Sequence, residues 1–177
     1  MKRCDWVTND LLLDYHDHEW GQKTTNPRTL FECLALEIMQ GGLAWSLILK
    51  RQTDLRAAFQ GFYPEQLADL SPASVEALLQ DPRTIHHHRK IDAILHNATV
   101  IARMNEPFNH YLDRIVLPIA PDETALIKRT VKQMKADGFT YIGPKTINSF
   151  LEATGYLHHH DPECDWYREG IDTVSPY

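Results

Sequence analysis

Apolar residues recur every three or four positions along most of this chain, and the runs they form open on polar caps or prolines and close on glycines. The segment "NPRTLFECLALEIMQGG" shows the pattern most fully. Asn26 reads as a helix N-cap, Pro27 as the first helical residue, Leu30, Leu34 and Ile38 as an apolar stripe, and Gly41-Gly42 as the stop. The same reasoning predicts helices from about Ala44 to Phe59, from Pro72 to Gln80 behind a Ser71 cap, and from Lys90 to Met104. Two more run from Glu123 to Asp137, ended by Gly138, and from Pro144 to Ala153, closed by Gly155. No run alternates with the two-residue period of a half-buried strand, so the expected fold is all-α. Pro107 to Pro121 carries the weakest pattern and is expected to hold an internal connection.

One residue breaks the stripe of the strongest helix. At about 100° per residue, Glu37 falls about 20° from Leu30 and about 60° from Leu34, while Glu32 points to the other side. A carboxylate inside an apolar stripe needs a cation, several hydrogen-bond donors, or a ligand that supplies them; a core salt bridge or a broad exposed edge would also serve. Tyr15, Trp6, Trp20 and Trp45 cluster in the first quarter of the chain and could wall a stacking pocket around this acid. Taken singly, each is equally an ordinary core aromatic.

Two further constellations bear on chemistry. Cys4 and His16 are separated by eleven intervening residues, and "HDPEC" puts His160 and Cys164 four apart, a Cys2His2 set suited to tetrahedral zinc. Its halves come from opposite ends of the chain, so it would clasp the termini together, a structural task; His18, His158 and His159 are nearby competitors. In "DGFTYIGPKTINSF" a helix ends at Gly138, a turn closes at Gly143, and a new helix begins with Pro144, Lys145 and Thr146. Backbone amides freed by the glycine, the helix dipole, Lys145 and the Thr146 hydroxyl together suit a phosphate, as in a helix-hairpin-helix element on a DNA backbone. An ordinary turn between two helices is the alternative.

Composition narrows the classes. A length of 177 residues with 43% hydrophobic content fits one domain with its own core. Three scattered cysteines, Cys4, Cys33 and Cys164, point to a reducing, cytoplasmic setting. No stretch approaches the ~20 apolar residues of a membrane span, and the start lacks a signal-peptide core. A formal net charge of -6 excludes a uniformly basic surface. Charge is segregated, though. Lys128, Arg129, Lys132, Lys135 and Lys145 face only Glu123 and Asp137 between Glu123 and Ile147, whereas Asp161, Glu163, Asp165, Glu169 and Asp172 surround Arg168 alone.

Taken in order, "RCDWV", "YHDHEWG", "LFECLALEIMQGGLAW", "GFTYIGPKTINSFLEATG" and "HDPEC" resemble the bacterial 3-methyladenine DNA glycosylase I family over nearly the whole chain. The resemblance implies a helix-hairpin-helix glycosylase domain over residues 1–177, with the hairpin element at about 123–155 and a zinc clasp drawn from 1–20 and 156–170. It implies zinc ligands at Cys4, His16, His160 and Cys164. Glu37 would read the adenine edge, Tyr15 would hydrogen-bond beside it, and Trp45 would stack, with Trp6 and Trp20 in the wall. Gly42-Leu43 would enter the DNA as a wedge, and Gly143, Lys145 and Thr146 would hold its backbone. The implied protein is a monomer acting in the bacterial cytoplasm, near the nucleoid, on duplex DNA, releasing a cationic methylated adenine and leaving an abasic site. This chain carries Ala44 and Leu47 where the family usually has Ser and Thr, and "HHHRK" at His86 to Lys90 where it has a basic helix start. A non-catalytic protein that binds damaged DNA is the alternative reading, and a zinc hydrolase with an open metal position and Glu19 is a third.

Overall fold

The computed structural model describes residues 1–167. The expectations that touch Arg168, Glu169, Asp172 and clasp residues 168–170 lie outside the described residues. Among those described there is no strand. The elements are α1 (Asp10–His18), α2 (Pro27–Gln40), α3 (Trp45–Ala58), a 3-10 turn (Gln60–Phe62), α4 (Pro64–Ala68), α5 (Pro72–Gln80), α6 (His88–Ala102), α7 (Phe108–Val116), α8 (Glu123–Ala136) and α9 (Pro144–Ala153). No helix among the described residues is long and apolar enough to cross a membrane.

Local chemistry sets the helix starts. The side chains of Asn9, Asn26, Ser71 and Asp122 each accept a hydrogen bond from the amide three residues on, at 2.8–3.1 Å. Each satisfies a donor that a helix start leaves without an intrahelical partner. In the weakly patterned stretch from Pro107 to Pro121 the expected connection occupies residues 117–122, and helix α7, which the sequence reading did not mark, fills the rest. Phe108, Tyr111, Leu112, Ile115 and Val116 are buried there at helical spacing, and the run begins at a proline N-cap that offers no capping side chain.

Helix α2 is the column around which the others stack. Leu30, Phe31, Leu34, Ala35, Leu36, Ile38 and Met39 are all buried, so apolar residues surround the helix instead of lining one face. It packs against α3, α6, α7 and α9, and α4 covers α6 while α8 lies against α7 and α9. Glu32, also on α2, is only 3% exposed. It takes Arg28 at 2.7 Å and Arg56 at 2.5 Å, so its burial is compensated by two guanidinium groups.

The first residues and the last described segment are drawn together. The Asp165 amide donates to the Lys2 carbonyl at 3.0 Å, the Lys2 amide to the Asp165 carboxylate at 2.9 Å, and the Asp5 amide to Asp161 at 2.6 Å. Gly155, at φ +71°, lets the segment before α2 cross the end of α9: a Cβ there would stand 2.4 Å from the Lys23 amide nitrogen.

Candidate functional site

A small second cluster of buried side chains, Leu12 and Tyr15 from α1 and Leu49 from α3, sits beside the main core with Trp6, Trp20 and Trp45 packed on it. It walls a cavity of about 400 Å³. Trp6 and Trp20 meet edge to face at 5.1 Å, and Tyr15 and Trp45 lie 5.4 Å apart between ring centroids. Glu37 and Gln40 from α2, Ala44 and Ser46 from the start of α3, and Lys145, Ser149 and Glu152 from α9 complete the lining. Five residues singled out from the sequence, Tyr15, Trp6, Trp20, Trp45 and Glu37, thus share one cavity, and Lys145 reaches its edge.

Glu37 is 8% exposed, and among the described residues it makes no hydrogen bond or ion pair. Burial first, and the charge of Glu152 second, raise its carboxyl from 4.5 to about 8. Burial likewise pushes the Tyr15 phenol well above its ordinary value, so it stays a neutral hydroxyl. The indole Nε1–H of Trp45 is buried with no acceptor among the described residues. An unpaired acid and an unpaired donor beside aromatic faces suit a flat polar ligand.

The loop between α2 and α3 edges this cavity. Gly42 is exposed at φ +83° with open space where a side chain would go, while Leu43 is half-buried against the main core. Gln40 pins the loop by donating to the Leu43 carbonyl at 2.6 Å. Lys90, 3% exposed, donates to the carbonyls of Met39 at 2.8 Å and Gly41 at 2.6 Å and so caps the end of α2 with a positive charge. Between α8 and α9 the turn is clamped by α6. Asn97 donates to the Thr140 carbonyl at 3.0 Å and accepts from its amide at 2.8 Å, and His96 contacts the Gly138 carbonyl at 2.9 Å. Tyr141 is exposed at φ +59°, its ring 6.3 Å from His87, which joins the exposed His86–His88 run to this turn. Gly143 opens α9 without a side-chain cap; Lys145 is exposed and Thr146 half-buried in its first turn.

Cys4, His16, His160 and Cys164 converge, their ligand atoms all within 4.8 Å of one another, and could hold a metal ion. Sγ of Cys164 lies 3.5 Å from His16 Nε2 and from His160 Nδ1, and Sγ of Cys4 lies 3.5 Å from His160 Nδ1. The remaining nitrogen of His16, Nδ1, faces the Asp17 carboxylate at 2.8 Å. Arg3 grips that carboxylate and holds its pKa down at about 2. Asp17 therefore orients the His16 ring, whose Nε2 faces the cluster. His18 turns outward to Asp14, and His159 to Glu152 and Glu123. Cys33 stands outside the group.

Sequence reasoning missed Gln40, Glu152, Lys90 and the Asp17–Arg3 pair. Only Glu152 left a trace, since Lys145, Ser149 and Glu152 follow at spacings of four and three and form a polar stripe on α9.

The raised carboxyl of Glu37 ties stability to pH. The unfolded chain loses this proton near 4.5 and the folded protein near about 8, so the stability present at low pH is progressively lost as pH rises through that window. Glu37→Gln, which cannot ionise, is expected to gain on the wild type by on the order of 2–4 kcal/mol between pH 5 and pH 8 in urea denaturation. A difference that does not change with pH would contradict the burial of an unpaired acid.

Residues 6–168 match the family model described as methyladenine glycosylase. DNA-3-methyladenine glycosylase 1 of Escherichia coli (strain K12) is 35% identical over 182 residues, which cover 94% of this chain and 97% of that protein. DNA-3-methyladenine glycosylase of Haemophilus influenzae is 32% identical, over 92% of this chain and 96% of its own. A crystal structure of 3-methyladenine DNA glycosylase I superposes with a TM-score of 0.85 at 33% identity, covering 94% of this chain and 100% of that one. A variant of such an enzyme in complex with 3-methyladenine gives 0.82 at 31% identity, over 93% and 97%. Matched from the first pocket tryptophan through the last cysteine of the Cys/His group, the chain belongs to the methyladenine glycosylase family.

Proposed function

We propose that this protein is a monofunctional DNA glycosylase of base-excision repair, which flips N3-methyladenine out of alkylated duplex DNA and hydrolyses its N-glycosidic bond. The free base leaves and an abasic site stays in the strand. One observation carries the reading to particular residues: a buried carboxyl, Glu37, with no partner among the described residues, in an aromatic-walled cavity. Methylation at N3 makes the adenine cationic, so the leaving group is already activated and a strong general acid is unnecessary. The site's task is then to recognise the base and hold it out of the stack. With a carboxyl raised to about 8, Glu37 is mostly protonated in the empty pocket at neutral pH. A cationic base bearing an exocyclic amine offers both the charge and the donors to draw that proton off. Tyr15 supplies a neutral hydroxyl beside it, Trp45 a stacking face, and Trp6 and Trp20 the wall, with cation–π attraction favouring the charged base.

In this reading residues 1–177 act as one monomeric domain in the bacterial cytoplasm, near the nucleoid. The α8–turn–α9 segment, about 123–155, serves as a helix-hairpin-helix element. Gly143, Lys145 and Thr146 would take a backbone phosphate at the start of α9, where no side chain competes for the amides. The loop at Gly42-Leu43 would enter the stack, Gly42 giving the tip its freedom and Leu43 supplying the apolar wedge once released from its half-buried seat.

Cys4, His16, His160 and Cys164 would hold one structural zinc. Tetrahedral bonds of about 2.3 Å to sulfur and about 2.0–2.1 Å to nitrogen set S···N edges near 3.6 Å, close to the 3.5 Å separations here. Four protein ligands leave no position for a water, so such a metal joins the termini and performs no hydrolysis.

Purified protein is expected to release 3-methyladenine from methylated duplex DNA, identified by chromatography, and Glu37→Gln to slow release about 10- to 100-fold. Unchanged release by Glu37→Gln would refute its role, and binding of damaged DNA without release would refute the enzyme. Metal analysis should find one zinc per chain, lost together with thermal stability in Cys164→Ala; metal-free protein of undiminished stability would refute the clasp.

A further inference from the structure

Helix α9 turns Lys145, Ser149 and Glu152 toward the cavity that holds Glu37. A base-reading role accounts for Glu37, and phosphate binding for Lys145, but neither uses Glu152. Its side chain is 18% exposed and firmly held. Asn148 Nδ2 donates to Glu152 Oε1 at 2.6 Å, and the same oxygen takes Nδ1 of His159. His159 cancels at most one of two charges, because its Nε2 is shared with Glu123 at 2.7 Å: one imidazolium at most serves two carboxylates, and the group keeps a net negative charge. Among the described residues Lys145 makes no ion pair with Glu152.

We propose that Glu152 is a specificity-determining residue of the base pocket, whose fixed negative charge favours a cationic purine over a neutral one of the same shape. The proposal rests on the glycosylase reading above and deepens it. A charge at the edge of a low-dielectric cavity acts on a ligand over several ångströms without touching it, and does so before any proton leaves Glu37. The two acids thereby divide the work. Glu37 contacts the base and adapts its protonation; Glu152, hydrogen-bonded and oriented, supplies the standing field that a neutral purine cannot exploit. The same field disfavours a second charge in the pocket, which agrees with its share in raising Glu37.

The test compares binding of 3,9-dimethyladeninium, a permanent cation, with neutral 9-methyladenine, by calorimetry at pH 7. Wild type, Glu152→Gln and Glu152→Asp are compared, and release of 3-methyladenine from methylated DNA is measured on the wild type. In Glu152→Gln, which keeps an acceptor oxygen for Asn148, the cation-to-neutral affinity ratio is expected to fall about tenfold. Glu152→Asp, which keeps the charge, should stay within about threefold of wild type. An unchanged ratio in Glu152→Gln, an equal loss for both ligands, or an Asp variant that falls with the Gln variant would overturn the proposal. Wild type alone gives a check free of any folding defect: at pH 6, with Glu37 largely protonated, it must still prefer the cation, and loss of that preference overturns the role of Glu152. Base release with an unchanged ratio sinks this proposal alone, whereas absence of release sinks the glycosylase reading and this one with it.

Discussion

A carboxyl buried without a partner among the described residues, on a helix enclosed on all sides, is the constraint to which the rest of the structure answers. Helix α2 is sheathed by α3, α6, α7 and α9, so it cannot turn Glu37 out to water without breaking the core. The contrast with Glu32, five residues earlier, is instructive. That acid is buried more deeply, yet two arginines compensate it and it is a structural element. Glu37 makes no such pair among the described residues, and burial together with the like charge of Glu152 favours its protonated form. In the proposed reading, what this loss of stability with rising pH secures is a carboxyl placed for the base.

The pocket and the Cys/His group share walls. Neighbouring residues on α1 serve the two: Tyr15 lines the cavity while His16 joins the cluster. Trp20 packs 4.8 Å from His160 and 5.9 Å from His16, and Trp6 lies 5.3 Å from His16, between ring centroids. Arg3 links the N-terminal segment to the 161–167 segment beside the Cys/His group, holding Asp17 and lying over the Trp166 ring at 4.5 Å. Pulling the chain ends together therefore fixes two walls of the pocket, which ties stability of the termini to the geometry of the site. On the opposite side, Lys90 and Asn97 of α6 hold the loop after α2 and the turn before α9 against a single helix. The loop and the turn that flank the cavity are thus set at fixed positions relative to each other.

Much of this was legible in the chain because it is locally encoded. Caps, prolines and glycines mark α2, α5 and α9 to within a residue, and helical spacing alone places Glu37 among apolar neighbours. Spacing also marked Cys4, His16, His160 and Cys164 as a set, which the fold brings together. What escaped depends on contacts between distant segments. Helix α7 starts at a proline without a capping side chain and derives its stability from burial against α2 and α8. Lys90 reads as one more cation at a helix start until the fold carries the end of α2 to it. Glu152 reads as a surface acid until α9 docks on α2 and turns it into the cavity. Local pattern can reveal a residue out of place on its own helix, but not one given its function by another.

The state of the Glu37 proton tests this account most directly. Carbon-13 NMR of a selectively labelled Glu37 side chain, titrated in the free protein and with 3-methyladenine bound, reads that proton without assuming turnover. Titration is expected at about 8 in the free protein, falling by about one unit or more when the base supplies its donors. A free-protein titration near the ordinary 4.5, or one that the base leaves unmoved, would contradict it.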